Sequence, residues 1–522
     1  MSSTYAFNQE ALQGSTVPLP PTKPVAGETY KNSETTRLLC AAAYLDRQFR
    51  DLVIKFCVDD RHHALGACFG LDMTTVVQHC RHAKRIIGMR SLYLLIPLVL
   101  AVIAGLNLFG SYQSGLVAES GKAVAFLVIL YLICFAICLY FQSRARSIVM
   151  QNFTRGKFDP DAFLQKDNTP VEYLQAAETG NTVVYSGFSP FVGSGENMGA
   201  WSFALDLRKR ASGDGLTSKN EHRQSSGLSA GELQEITLEA LYTRVARDIT
   251  ELGLDRVTLQ DKLYVHGRDI RDDKRFLSDP LGRPRYRQEE QTVRNAMFGA
   301  QEKQVRHYRC VRVVDWSGEL VLSIFLRFSK LGHNLFVEAS YFLLTPVAER
   351  FRAVDAMSPY FNLGRFIKSI VATAVTTPFV TLWAPFELLG RIYGRFHRWS
   401  ANREEDTLIR ENPTFDYGAA FSFRQWASAN EYRRYFQRLD KEMYLKILEK
   451  NILDSILTFL EEHDVDVSEL KQRQNTILNQ GVIVSGGNMT TQSMSVGLGA
   501  KVENISQKRF TAKTAAPTNQ PA

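Results

Sequence analysis

The chain has few of the features that mark a secreted protein or a familiar enzyme. Its 522 residues contain only seven cysteines, in no even or regularly spaced framework, which excludes a disulfide-stapled extracellular fold. Residues 1–33 are polar, contain four prolines and lack the apolar core of a secretory signal, so we predict a disordered arm. No HExxH motif and no clear paired-carboxylate motif occurs, which favours a non-enzymatic role without a cofactor.

The chain also lacks a strong charge of either sign. Lysine and arginine number 62 against 54 aspartates and glutamates, a net charge of +8 over 522 residues. An excess this mild does not argue for nucleic acid as a partner. The position of the positive charge along the chain is therefore more informative than its amount.

What the sequence does contain is two long apolar runs, at residues 92–109 and 123–141, neither of which carries a charge. Each is close to the ~20 residues that a helix needs to cross ~30 Å of hydrocarbon. The backbone must satisfy its own hydrogen bonds in lipid, so a helix is the expected form. These runs predict a two-helix transmembrane hairpin over residues 91–142; the alternative is a pair of helices buried in a soluble core.

Basic residues flank the outer ends of this hairpin, whereas the intervening residues 110–122 offer only Lys122. Positive charge stays on the cytoplasmic side of a membrane, so both termini are predicted to be cytoplasmic. The flanking cations are Arg81, Lys84, Arg85 and Arg90 on one side and Arg144, Arg146, Arg155 and Lys157 on the other.

A third uncharged run, residues 369–386, is less apolar, with four threonines, Pro378 and Pro385. Basic residues flank both of its ends, so charge gives no orientation. A third crossing would place the C-terminal region outside. We therefore favour a re-entrant, interfacial or buried helical segment, with the third crossing as the alternative.

Alternating and continuous apolar patterns predict the rest of the fold. Residues 201–208 alternate as a half-buried strand does, and three β-rich runs between residues 305 and 344 are separated by short turns, which predicts antiparallel neighbours. The predicted class is an α+β membrane protein with a transmembrane helical hairpin, a cytosolic, largely antiparallel α+β domain and C-terminal helices. Its predicted parts are a disordered arm (1–33), an N-terminal helical cytosolic domain (34–90), the hairpin (91–142), a connector (143–180), the α+β domain (181–360), an apolar segment (361–400), a helical region (401–475), a glycine-rich β-like tail (476–510) and a disordered end (511–522).

A glycine-rich stretch, "NTVVYSGFSPFVGSGENMGAW" at residues 181–201, is the first candidate site. A dinucleotide loop requires a helix after its glycines, because the helix amides hold the pyrophosphate. Here a strand follows, so we interpret the stretch as a hairpin with a wide loop. Aromatic residues around the glycines suggest a ligand or partner loop, formed by Gly187, Phe188, Phe191, Gly193, Gly195, Gly199 and Trp201.

A second candidate is a group of cysteines and histidines within 26 residues of one another. The group invites a zinc site, but it contains no CxxC or HxxxH pair and matches no common finger spacing. We favour core thiols and a solvated histidine face, with no metal. The residues are Cys57, His62, His63, Cys68, His79, Cys80 and His82.

The tail at residues 481–505 keeps β-branched and methionine positions at strand-like spacing. A lone hairpin is marginal in water, so these strands are predicted to need a sheet edge, a second copy of the chain or another protein. Self-association or a protein partner is therefore expected through this tail. The alternative is an idle tail packed on the helix at 440–462.

The layout resembles that of uncharacterised bacterial two-span membrane proteins. They similarly join two spans to a segment like "VVYSGFSPFVGSG" and a run like "YLKILEKNILDSILTFLEEHDVD…TILNQGVIVSGG". The resemblance implies a bacterial inner membrane, and it brings no established activity and no site residue. We therefore predict a sensor, scaffold or assembly protein. The alternatives are a membrane-perturbing effector of a bacterial defence system using 369–386, and an enzyme or nucleotide-binding protein using the loop 187–199.

Overall fold

The computed structural model describes residues 28–113, 117–162, 172–208, 236–299, 302–357 and 363–479. The fold is α+β, with a mixed sheet and helices, as the sequence predicts. The chain divides into two units, Met1–Asp466 and Val467–Ala522. The described part of the second unit contains a single helix, α12 (Ser468–Asn479).

The first unit contains a six-stranded sheet. Its spatial order is β1-β3-β4-β5-β6-β2, and all neighbours are antiparallel except β1 and β3. The three β-rich runs predicted to be antiparallel neighbours are β4, β5 and β6, and that prediction is confirmed. The strands are β1 (Thr182–Tyr185), β2 (Glu196–Asp206), β3 (Val257–His266), β4 (Val305–Asp315), β5 (Leu320–Leu331) and β6 (Asn334–Leu344).

The predicted hairpin between β1 and β2 is wrong, because the two strands lie at opposite edges of the sheet. β1 pairs in parallel with β3, and β2 pairs with β6. The glycine-rich connection therefore crosses one face of the sheet. Phe191 of this connection packs there on Phe325, with ring centroids 4.2 Å apart, and on Tyr264 at 5.3 Å. Extended patterns predicted the strands, but not which distant strand each would pair with.

In the N-terminal region, Leu38, Leu45, Phe49 and Val53 recur at helical spacing and predict one helix over 34–57, but the structure breaks this helix at Asp46. Ser33 caps the first part, since its Oγ accepts the Thr36 N–H at 3.1 Å. Asp46 caps the second part by accepting the Phe49 N–H at 3.0 Å. A π-helical turn at Lys55–Asp59 then ends it. The short helices of the first unit are α1 (Glu28–Lys31), α2 (Glu34–Leu45), α3 (Arg47–Ile54), α6 (Glu172–Thr179), α7 (Leu238–Glu251), α8 (Glu290–Phe298) and α10 (Phe423–Trp426).

These N-terminal helices share a core with segments that follow the sheet. Phe49 of α3 packs on Phe351 and stacks on Trp426, at centroid distances of 5.3 and 6.2 Å. Phe351 lies in a 3₁₀ turn, Glu349–Arg352, where the sequence predicts a helix of about ten residues. Residues far apart in sequence thus form one hydrophobic cluster.

Four long helices complete the first unit: α4 (Met73–Gln113), α5 (Val117–Asn152), α9 (Leu363–Glu411) and α11 (Tyr435–Glu462). Three of them, α4, α5 and α9, contain stretches long and apolar enough to cross a membrane, judged by length and composition. The two predicted spans lie within α4 and α5. The uncertain run 369–386 lies within α9, as part of a continuous helix of 49 residues.

Candidate functional site: the roots of the three long helices

Helix α9 packs against α5 through polar side chains as well as apolar ones. Thr373 Oγ1 donates to Gln142 Oε1 at 2.6 Å. Tyr131 Oη donates to the Ala374 carbonyl at 2.9 Å. That carbonyl lies four residues before Pro378, which has no N–H to offer it. Tyr131 thus satisfies a backbone group that the proline leaves open, as an apolar environment requires.

Helix α9 also packs against α4, around one carboxylate. Glu387 Oε2 accepts the Ser91 hydroxyl at 2.5 Å and lies 3.5 Å from the Arg90 guanidinium. Arg47 of α3 approaches the other oxygen of Glu387 at 3.7 Å. Glu387 therefore connects α9 to α4 and to a helix of the cytosolic domain predicted from the sequence. One turn earlier, Ala384 is buried against Leu94 of α4.

Both ends of α9 attach to one body of the protein, formed by the sheet and the N-terminal helices α2 and α3. Before α9, Phe351 and Val354 are buried in the cluster that contains Phe49. At its other end, Ile409 is fully buried beside Val184 and Leu263 of the sheet. Residues on the two sides of α9 also meet directly, because the Ala348 N–H donates to the Ala427 carbonyl at 2.8 Å. Helix α9 therefore leaves this body and returns to it.

A cavity of about 190 Å³ lies where the connections of the three long helices converge. One part of its wall comes from residues that precede α4 and from Met73, the first residue of that helix. A second part comes from α6, which follows α5. The third part comes from residues 418–423, which follow α9. The wall is mostly apolar, and its ionisable or thiol-bearing residues are Cys57, Asp60, His63, Cys68 and Glu178.

Glu178 joins α6 to the start of α4. Its Oε1 accepts the Met73 N–H at 3.1 Å, so the carboxyl satisfies one of the free amides at the first turn of α4. Burial raises the pKa of Glu178 well above its usual range, and the neighbouring carboxylate of Asp72 raises it further. A negative charge here would gain from the positive end of the helix dipole.

His63 and Asp60 form a compensated pair on the cavity wall. His63 Nδ1 lies 3.1 Å from an Asp60 carboxylate oxygen, and the His62 and His63 N–H groups donate to Asp60. The side-chain hydrogen bond to Asp60 raises the pKa of His63. Burial alone would raise the pKa of Asp60, but the hydrogen bonds from His63 outweigh it and lower the pKa.

The cysteine and histidine group predicted from the sequence is divided between two places. Cys57, His63 and Cys68 line the cavity. His79 and His82 instead bond to the Tyr44 hydroxyl, at 3.1 and 2.8 Å. Among the residues that the structure describes, no group of three or more His, Cys, Asp or Glu side chains is arranged to hold a metal ion.

The burial of these residues corrects part of the sequence interpretation. All seven cysteines are free and buried, including Cys57 and Cys80. The histidines do not form the expected solvated face, because His62 and His79 are 2% and 0% exposed. Burial lowers the pKa of His79 to about 4, so this imidazole is neutral at physiological pH.

The glycine-rich loop is largely occupied with structural contacts. Gly193 and Gly195 have φ angles of 88° and 98°, and a Cβ on either would meet a backbone carbonyl, of Ala67 or Leu343. Gly187 and Gly199 also have positive φ angles.

Two of the loop aromatics are likewise in contact with the sheet. Phe191 is packed on it, and Trp201 stacks on Phe203 and donates to the Tyr341 hydroxyl. Phe188, in contrast, is fully exposed. A ligand or partner role for this loop stays a prediction.

Sequence reasoning missed two acidic side chains that contact α4, Glu178 and Glu387, and a buried ionic group in the sheet. In that group, Arg309 donates to both oxygens of Asp261 at 2.9 Å, and His307 Nε2 lies 3.0 Å from the same carboxylate. This ionic group can be recognised only from the pairing of β3 with β4, because Asp261 is the register partner of Arg309. A GxSxG spacing at residues 227–231 was also missed and lies outside the described residues.

The described structure defines an α+β protein with three helices of membrane-crossing length and composition. A model of the AbeC-like domain matches residues 200–491, more than half of the chain, and the chain belongs to this family. The match includes α9 and omits α4 and α5. No curated protein and no solved structure matches the chain. The resemblance to an uncharacterised family is confirmed to this extent, and the bacterial origin and two spans stay predictions.

Proposed function

We propose that the protein is a non-enzymatic membrane sensor, in which a cytosolic body holds a two-span hairpin (α4 and α5) and a re-entrant helix (α9). The observation that carries this proposal is that α9 begins and ends on the same body. The hairpin links that body to the bilayer, and α9 reaches from the body to the base of the hairpin.

The attachment of α9 argues against a third crossing. A single crossing would separate the residues before and after α9 by ~30 Å of hydrocarbon. Yet Ala348 and Ala427 are joined by a backbone hydrogen bond, and Phe351 packs on Trp426. Pro378 and Pro385 lie within the apolar part of α9, where they allow the helix to bend back toward the body.

Sensing is favoured over catalysis by the coupling between the body and the helices. Glu387 links α9 to Arg47 and Arg90, and Glu178 links α6 to the first residue of α4. A rearrangement in the body would therefore act on the roots of all three helices. Two packed arrangements of such a junction would convert a cytosolic signal into a change in the membrane.

Topology reporters fused to the full chain test this proposal. We expect a reporter placed at residue 115 to be external and reporters at 210 and 522 to be internal. Deleting 366–392 should leave the reporter at 522 internal, because a re-entrant segment does not change the number of crossings. An external reporter at 522 in the full chain, or a change of side on deletion, would contradict the two-span topology.

A second candidate function, a membrane-perturbing effector, is favoured by the exposed apolar surface of α9. Its side chains Val371, Val375, Phe379, Trp383 and Phe386 are all more than half exposed. The test is dye leakage and growth arrest on overexpression of the wild type and of Val375→Glu/Phe379→Glu. Arrest that the double substitution abolishes would favour the effector, and growth unaffected by either protein would favour the sensor.

A further inference from the structure

The cavity where the three long helices converge has a carboxyl group, Glu178, that forms no ion pair with the residues that the structure describes. Asp60 is paired with His63, but Glu178 has only the Met73 N–H as a hydrogen-bond partner among the described residues. Asp72, the charged neighbour with the largest influence on the pKa of Glu178, is also an acid. Among the carboxyl groups that line this cavity in the described residues, Glu178 is thus the one whose ionised form a cationic ligand would stabilise.

Lys262 does not supply that charge. Its Nζ is buried and donates to the Gly180 carbonyl at 3.1 Å. Burial, with Arg312 nearby, lowers the pKa of Lys262 to about 7, so its positive charge is itself costly. Its influence on Glu178 is weaker than that of Asp72.

Aromatic rings form another part of the same wall. Phe421 makes edge-to-face contacts with Phe56 and Phe423, at centroid distances of 4.8 and 5.1 Å. All three rings line the cavity with Glu178. Ring faces attract organic cations, and an aromatic wall beside a carboxyl group that a bound cation would hold ionised is the chemistry that recognises an ammonium group with an apolar body.

We propose that this cavity binds a small organic ammonium compound, whose apolar body lies against Phe56, Phe421 and Phe423 and whose ammonium group donates to Glu178. The proposal supplies a ligand for the proposed sensor and rests on that function only for its biological role. Because Glu178 also accepts the Met73 N–H, the bound cation acts directly on the first residue of α4.

The size of the cavity limits the ligand. A dry apolar cavity of about 150 Å³ holds a benzene ring. The volume here is about 190 Å³, which accommodates one ring or a short branched chain with a terminal amine. The site therefore selects a compound of about ten heavy atoms rather than a nucleotide or a lipid.

The test compares 2-phenylethylamine with 2-phenylethanol, which has the same apolar body but no charge. Binding to the full-length protein in detergent is measured by calorimetry. We expect the amine to bind at least tenfold more tightly than the alcohol. Glu178→Gln should remove this preference without changing the affinity for the alcohol, because its amide oxygen can still accept the Met73 N–H.

Two further variants complete the design. Glu172→Gln, at an exposed position of the same helix, should bind both compounds as the wild type does. Ala177→Leu should fill the cavity and weaken the binding of both compounds by at least tenfold.

Equal affinities for amine and alcohol, no binding of the amine at millimolar concentration, or an amine preference retained by Glu178→Gln would each overturn the proposal. Reporter topology does not depend on this result, so the ligand can fail while the proposed topology stands.

Discussion

The hairpin α4–α5 and the helix α9 all contain stretches long and apolar enough to cross a membrane, yet their ends are attached differently. The hairpin leaves the body at Met73 and returns through α5, whereas α9 starts and ends in the body by itself. The attachment of each end decides whether a helix crosses, and attachment depends on long-range packing that a hydropathy pattern does not contain.

The largest loss of stability should come from a substitution that weakens one attachment of α9 to the body. Phe351 is 1% exposed, and Phe351→Ala should lower the free energy of unfolding by about 3–5 kcal/mol through the lost burial and the cavity left behind. Phe379→Ala, in the exposed apolar surface of α9, is the matched control and should change it by less than about 0.5 kcal/mol. Chemical denaturation of the detergent-solubilised protein measures both. Equal losses would contradict the view that the anchor lies in the body.

A second substitution, in the middle of α9, tests the contact of this helix with α4. Glu387→Gln removes the charge that Ser91 and Arg90 contact, and we expect a loss of about 1–3 kcal/mol, typical of hydrogen bonds to charged groups. Glu411→Gln, at the exposed end of the same helix, should be neutral. Thermal unfolding of the two variants side by side is the measurement. A neutral Glu387→Gln would show that this carboxylate does not hold α9 to α4.

The buried amine of Lys262 should make the stability of the body depend on pH. The folded-state pKa of Lys262 is lowered to about 7, so the unfolded chain binds more protons above that pH and stability rises from pH 7 toward the unfolded pKa. We expect Lys262→Met to be more stable than the wild type by about 1–3 kcal/mol at pH 7. That advantage should shrink as the pH is raised to 9. A difference independent of pH would assign the effect to packing instead.

The smallest change in stability should come from the Ala374 carbonyl, which has no helical N–H partner because Pro378 lies four residues later. Tyr131→Phe removes the hydroxyl that donates to Ala374, at a cost of about 0.5–1.5 kcal/mol. Tyr140→Phe, whose hydroxyl meets only the exposed Arg144 in the described residues, should cost less. Thermal unfolding in the same detergent distinguishes them. Identical melting temperatures would mean that α9 and α5 gain little from this contact.

Local patterns predicted the elements of this fold well. The strand that alternates from Trp201 and the three neighbouring strands near the middle of the chain are all present. The apolar runs also lie in the long helices. Each of these features depends on residues close in sequence, which is why one sequence is enough to identify them.

Long-range pairing was not predicted. The partner of β1 is β3, some 80 residues later, and Phe191 is buried only because the loop crosses the sheet between distant strands. The cavity shows the same limit, since His63, Glu178 and Phe421 come from three separate parts of the chain. Cys57 and Cys68 were noticed as a metal candidate, yet their shared feature is the cavity they line. The tail at 481–505 lies outside the described residues, so its partner role stays a prediction.

The central claim, that both ends of α9 lie on one side of the membrane, is tested most directly by thiol labelling in intact cells. The seven native cysteines are buried, so we expect them to react little with a maleimide and to give low background labelling. Single cysteines at Gly364 and Glu404, both exposed, report the two ends of α9, and Ser114→Cys reports the sequence between the two predicted spans. We expect a membrane-impermeant maleimide added outside to label Ser114→Cys alone, and Gly364→Cys and Glu404→Cys to react only after permeabilisation. Labelling of one end of α9 but not the other in intact cells would show a third crossing and contradict the account.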